Sequence, residues 1–176
     1  RNFSNKVWNA TRFALGRLEG KDNTGLVVNL GEARFADRWI IARLYETIAS
    51  LEKSFATYHF NEVANTLYDF VWRDVCDRYL EAVKSTIDDD PNQQVVLGAV
   101  LDAVLRILHP VCPFVSETLW PHVSDVRTGE VAAITLPASE LLTLAAWPAV
   151  DGETADATII SEFERADALV AAIRVV

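Results

Sequence analysis

The chain has 176 residues, of which 51% are hydrophobic and 23% charged, enough for one domain with a buried core. Its net charge of −9 argues against indiscriminate nucleic-acid binding but leaves room for a local, specific site. The apolar runs are too short to span a bilayer, no charged-then-apolar leader opens the sequence, and Cys76 and Cys112 form no CxxC pair; together these point to a cytoplasmic chain without disulfides.

Residues 2–18 have helical periodicity. Phe3, Val7, Trp8, Thr11, Ala14, Leu15 and Leu18 fall on one arc, which should face a core. Asn2, Lys6, Asn9, Phe13 and Arg17 lie opposite, and the i, i+3, i+7 spacing of Lys6, Asn9 and Phe13 makes them neighbours on one surface. A ring beside an ammonium and a carboxamide suits an unstacked nucleic-acid base; it suits contact with another helix of the same protein equally well. The segment carries positive charge and no negative charge through Leu18, which predicts a favourable local field for an anion.

A Gly/Asn/Asp-rich loop follows from about Gly20 to Gly31. The second helix is expected from about Ala36 to Tyr58, burying Ile41, Leu44, Ile48, Leu51 and Phe55. The third, from about Asn61 to Ser85, should bury Ala64, Leu67, Val71, Val75, Tyr79 and Val83, which leaves Glu81 pointing partly away from the core. Asp88-Asp89-Asp90-Pro91 reads as a surface turn. Asp102 and Arg106 are the only charges in a fourth helix from about Gln93 to Leu108, which should therefore sit at the bundle centre. His109 should cap the end of that helix, and Pro113 should open a short fifth helix that stops near Trp120-Pro121. From Asp125 to Val150 no period is sustained; short strands are expected around Ala132–Leu136 and Leu142–Trp147. A last amphipathic helix ends in Ala171-Ala172-Ile173-Arg174. The fold class is thus mainly α, a bundle of five to six helices at 1–124, with an irregular or short-strand appendage at 125–150 and a C-terminal helix within 151–176.

Catalytic and metal chemistry find little support. His109, Cys112 and His122 make three ligands where a structural zinc wants four in paired short spacings. The aspartate triplet lacks the glycine and distal glutamate of a calcium loop. Both cysteines sit in apolar helical text as core residues, and no glycine-rich phosphate loop occurs. No catalytic, metal or cofactor site is therefore assigned.

Several multi-residue motifs, in order, carry a resemblance across essentially the whole chain. They are Lys6-Val7-Trp8-Asn9-Ala10-Thr11-Arg12-Phe13, Ala36-Asp37-Arg38-Trp39-Ile40 with Arg43-Leu44, and Phe60-Asn61-Glu62. Tyr68-Asp69-Phe70-Val71-Trp72, Cys76-Asp77, Tyr79-Leu80-Glu81-Ala82-Val83-Lys84, His109-Pro110, Pro113-Phe114 and Ala146-Trp147-Pro148 follow. The sequence resembles the anticodon-binding helical domain of valyl-tRNA synthetases, and it reads as a piece of a larger enzyme. The resemblance implies that Lys6, Asn9, Phe13, Leu80 and Glu81 face the anticodon bases of valine tRNA. By its own position Arg12 falls between the two faces of the first helix and suits the RNA backbone or a carboxylate of a neighbouring helix, while Arg1 and Arg17 suit the backbone or plain solvent equally well. It implies a monomeric, cytoplasmic parent enzyme that charges valine tRNA using ATP and Mg²⁺, with that chemistry in a catalytic domain bearing HIGH and KMSKS signatures. Neither signature occurs in these residues, so the piece should be inactive alone. Two alternatives stand beside this: a protein-interaction bundle with no RNA role, and the equivalent domain of an isoleucyl-tRNA synthetase.

Overall fold

The computed structural model describes residues 2–154 and 156–174. Helix α1 (Asn2–Leu18) buries Val7, Thr11, Ala14 and Leu18, an arc narrower than expected. Trp8 departs from the expectation: it is 42% exposed, because it lies about 100° round the helix from Val7 and off the stripe that meets the core. The following loop is not irregular throughout. It holds β1 (Val27–Val28), which pairs in parallel with β2 (Glu130–Val131), over a hundred residues away. Gly129, beside that pairing, has φ +75°, and a Cβ there would lie 2.7 Å from Val95 Cγ2 and 2.9 Å from the Leu26 carbonyl oxygen.

Helix α2 (Phe35–Ala56) buries Ile41, Leu44, Ile48 and Leu51 as the pattern predicts, and Trp39 and Ile40 as well. The third helix opens as α3 (Phe60–Tyr68), continues as a π-helical stretch (Asp69–Tyr79), and closes as α4 (Leu80–Val83). It buries Leu67, Val71, Val75, Tyr79 and Val83 as the pattern predicts, with Val63 buried and Ala64 exposed contrary to it. Phe70, Asp74, Cys76 and Leu80 are buried as well, so the buried face is broad. The i→i+5 ladder of the π stretch takes more residues to complete a turn than an α-helix does.

Helix α5 (Pro91–Leu108) is buried at every position from Gln93 to Leu108. The Asp90 carboxylate accepts from the Gln93 N–H at 3.2 Å and caps it, with Pro91 in its first turn. Helix α6 (Pro113–Val126) begins at Pro113 as expected but does not stop at Pro121. Losing the bond to the Glu117 carbonyl costs about 3 kcal/mol; complete burial of Val123 in the next turn, and delivery of Arg127 to Asp102, offset it. His109 is the C-cap residue of α5, as expected, with its backbone N–H donating to the Leu105 carbonyl, while its ring Nδ1 lies 3.0 Å from the Ser116 hydroxyl on α6.

Beyond α6, β3 (Ile134–Thr135) pairs antiparallel with β4 (Ala149–Val150). The first strand falls where the pattern placed it. Leu142–Leu144, inside the second expected strand, is a short 3₁₀ turn. Helix α7 (Ala157–Arg174) packs on α2, with the Phe163 ring stacked on Trp39 at 3.7 Å. The whole is a mainly α bundle carrying two small two-stranded sheets.

Two buried polar networks fix the helices to one another. Asp102 is ion-paired with Arg106 and with Arg127 (3.1 Å), while Arg106 also donates to the carbonyls of Ala146 (2.8 Å) and Pro137 (2.7 Å). Asp37, wholly buried, accepts from the Tyr79 hydroxyl (2.7 Å) and the Gln93 amide (3.3 Å), joining α2, the π stretch and α5. Burial holds the Asp37 carboxyl above its ordinary range against those two hydrogen bonds, and burial beside Asp37 pushes the Tyr79 phenol well above 10.

Removing one partner of the first network strands a buried charge, so Asp102→Ala should cost about 3–5 kcal/mol in urea unfolding. The second network makes stability depend on pH. Folded Tyr79 keeps its proton where the unfolded phenol loses it, so its contribution is complete below pH 10.0 and is lost as pH rises beyond. Tyr79→Phe should flatten that alkaline loss, measured by unfolding at about pH 9 and about pH 11. Asp37, also raised, contributes below pH 3.8, and that contribution is lost as pH climbs through the folded value.

Candidate functional site

Helix α1 runs beside the π stretch and α4, and between them lies a groove of about 510 Å³. Lys6, Asn9 and Phe13 come from one wall, and Asp77, Leu80 and Glu81 from the other. All five residues singled out from the sequence for base contact therefore meet in one place. Their positions follow from the two helices' buried stripes. Burying Val7, Thr11 and Ala14 turns Lys6, Asn9 and Phe13 toward α4, while burying Tyr79 and Val83 turns Glu81 outward.

The residues are not equally accessible. Asn9 is exposed, and its carboxamide has no hydrogen-bond partner among the described residues. Phe13 is half-buried and rests against the core, so it offers part of its ring rather than a free face. The Arg17 guanidinium lies 5.3 Å from that ring's centre and the Lys84 ammonium 5.5 Å, which leaves the ring electrostatically engaged from within the protein. Leu80 is 4% exposed and forms the groove floor. Cys76 also lines the groove; burial pushes its thiol up to about 11, so it stays protonated and a poor nucleophile.

Charges in and beside the groove alternate. Lys6 is ion-paired with Asp77 and Lys84 with Glu81, and Arg17 meets Asp88 at 2.6 Å. The unopposed positive field expected of the first helix is thus largely compensated by carboxylates of the third helix and of the turn after it. That turn does more than cover the surface, since Asp88 holds Arg17 and Asp90 both caps α5 and pairs with Arg34. Arg12 is exposed and makes no ion pair among the described residues; Arg1 lies outside them.

Chemically, the carboxylates accept from exocyclic amines such as cytosine N4, a carboxamide pairs an adenine edge, and an aromatic ring takes a base face. Sequence reasoning missed Asp77 and Lys84 as groove residues. Their signal was spacing: Asp77 lies four residues before Glu81 and Lys84 three after it.

The sequence matches the family described as anticodon-binding domain of tRNA ligase over residues 37–176. Among its relatives is a valine–tRNA ligase of Thermotoga maritima, 38% identical over 99% of this chain and 18% of that protein. Those of Nocardia farcinica (39%) and Rhodopirellula baltica (33%) each align with 99% of the chain and with 18% and 17% of their own length. The chain thus spans less than a fifth of the length of these curated relatives.

The groove's lysine–carboxylate pairs are surface pairs and contribute little to folding. Lys6→Ala and Glu81→Ala should each lower stability by less than about 1 kcal/mol, read as an almost unchanged urea midpoint.

Proposed function

The chain belongs to the anticodon-binding domain family of tRNA ligases, and on that premise we propose that it reads the anticodon loop of valine tRNA. The observation that carries the proposal is the convergence of Lys6, Asn9, Phe13, Leu80 and Glu81 on one groove. Every valine anticodon has adenine in the middle and cytosine third, two bases that present exocyclic amines. In this reading Phe13 supports an unstacked loop base against its accessible edge, over the floor made by Leu80. Glu81 accepts from the cytosine amine, Asn9 pairs the adenine edge, and Lys6 serves a base edge or a phosphate. Arg12 and Arg17, with Arg1, are assigned to the RNA backbone, Arg17 by exchanging Asp88 for a phosphate.

The longer protein would be a monomeric, cytoplasmic valine–tRNA ligase, with ATP and Mg²⁺ in its catalytic domain. The sequence holds no glycine-rich phosphate loop for ATP, and the N-terminus of α5 is already filled by the Asp90 carboxylate. We read residues 1–124 as the recognition bundle, 125–150 as its brace, and 151–176 as the lead toward a further C-terminal arm.

Titration with a valine anticodon stem-loop, beside one with its adenine and cytosine replaced, tests the reading. The intact loop should bind more tightly. Stacking is worth roughly 1–3 kcal/mol per base, so Phe13→Ala should weaken binding by about tenfold or more. Glu81→Ala should chiefly erase discrimination at the cytosine. Equal binding of both loops by the wild type would overturn the proposal. The chain alone should show no valine-dependent pyrophosphate exchange.

A further inference from the structure

Lys6 is held from two sides. Its ammonium is ion-paired with Asp77 and lies 4.1 Å from the centre of the Trp72 ring. Trp72 is in turn fixed in an aromatic stack, with Tyr68 at 5.3 Å from it and Phe3 at 5.7 Å from Tyr68. The lysine side chain keeps only 26% of its exposure, while Asp77 keeps 49% and stands open to the groove. A free ammonium is a compact point charge that donates to a phosphate of any sequence. Where the matching bases already engage Lys6 in the groove, a free charge would add a phosphate contact chiefly for loops whose bases leave it idle.

We propose that Asp77 is a specificity-determining residue of this groove, a positioning residue that binds Lys6 so that its charge is not available to phosphates of loops with the wrong bases. The inference rests on the reading of the groove as an anticodon site. An ammonium has three donors, and Asp77 satisfies one of them while Trp72 covers part of its surface. The remaining donors can still meet an acceptor placed in the groove at short range. What the pair removes is the long-range attraction of an uncompensated cation. Glu81, one turn further along the same wall, holds Lys84 in the same way, so that lysine too is compensated. A loop with the right amines gains what a wrong loop is denied.

The test uses this chain as wild type, Asp77→Asn, and the double variant Lys6→Ala/Asp77→Asn. Each is titrated at several salt concentrations with the valine stem-loop and with a copy carrying guanine and uracil in place of adenine and cytosine. Asp77→Asn should narrow the wild type's preference by about two- to fivefold, the scale of an exposed ion pair, mainly through tighter binding of the exchanged loop. Its salt slope should steepen by about 0.7, one added phosphate contact on a single strand. The double variant should lose both gains, which no merely structural role of Asp77 would produce. An unchanged preference and slope would overturn the proposal, as would weaker binding of the valine loop without a gain for the exchanged one, since Asp77 would then be reading a base itself. If the wild type shows no preference to begin with, the anticodon reading fails and this inference falls with it; a wild type that discriminates beside an unaltered Asp77→Asn sinks the inference alone.

Discussion

The Asp102 carboxylate lies at the centre of the bundle, 1% exposed, and arginines from two parts of the chain close on it. A charge there is tolerable only if every lone pair has a partner, because its desolvation costs more than any single contact returns. Arg106 comes from one turn further along the same helix, and Arg127 arrives from beyond the end of α6. The demand then passes outward, since each guanidinium has N–H groups left over. Arg106 spends its own on the carbonyls of Pro137 and Ala146, and Arg127 donates to that of Leu136. The irregular segment after α6 has no long strand or helix of its own, and this network gives it a fixed course. One buried carboxylate thus fixes α5, α6 and the chain that wraps them.

The groove depends on that centre through the third helix. α5 supplies Gln93 to Asp37, Asp37 accepts from Tyr79, and Tyr79 is the residue immediately before Leu80 and Glu81. A third buried carboxylate, Asp74, anchors the π stretch against α2 through Arg43 at 2.9 Å and takes Arg78 at 3.3 Å. Arg78 reaches on to Asp167 of α7. The wall that carries the candidate reading residues is therefore held by charge pairs and hydrogen bonds on its inner face. Its outer face remains free to hold only surface pairs.

How much of this was legible depends on the range of the interaction. The helices were legible because a buried stripe writes itself locally, and the near absence of charge in Gln93–Leu108 told that α5 would be central. Lys6, Asn9 and Phe13 could be grouped from spacing alone. Leu80 and Glu81 joined them only through the family resemblance, since nothing local says which surface glutamate faces a groove. Val27–Val28 lies in a glycine-rich loop with no period to detect and pairs with residues over a hundred positions away, so its pairing with Glu130–Val131 was invisible. Pro121 misled because a local breaker was outweighed by burial on its far side. Trp8 misled because an aromatic at the edge of an arc looks like a core residue until the partner's width is known. The π stretch was not legible, because helical periodicity was read at one fixed angle.

That stretch also buffers the groove against changes in chain length. A π-helical turn holds more residues than an α-helical one, so the stretch can shed a residue and tighten to an α turn. Every later side chain then keeps its bearing, whereas the same loss from a pure α-helix would turn it by about 100°. Glu81 would still face the groove, with the helix one step shorter. A single deletion within Asp69–Tyr79 can thus be absorbed upstream of the recognition wall, while one within Leu80–Val83 would rewrite it.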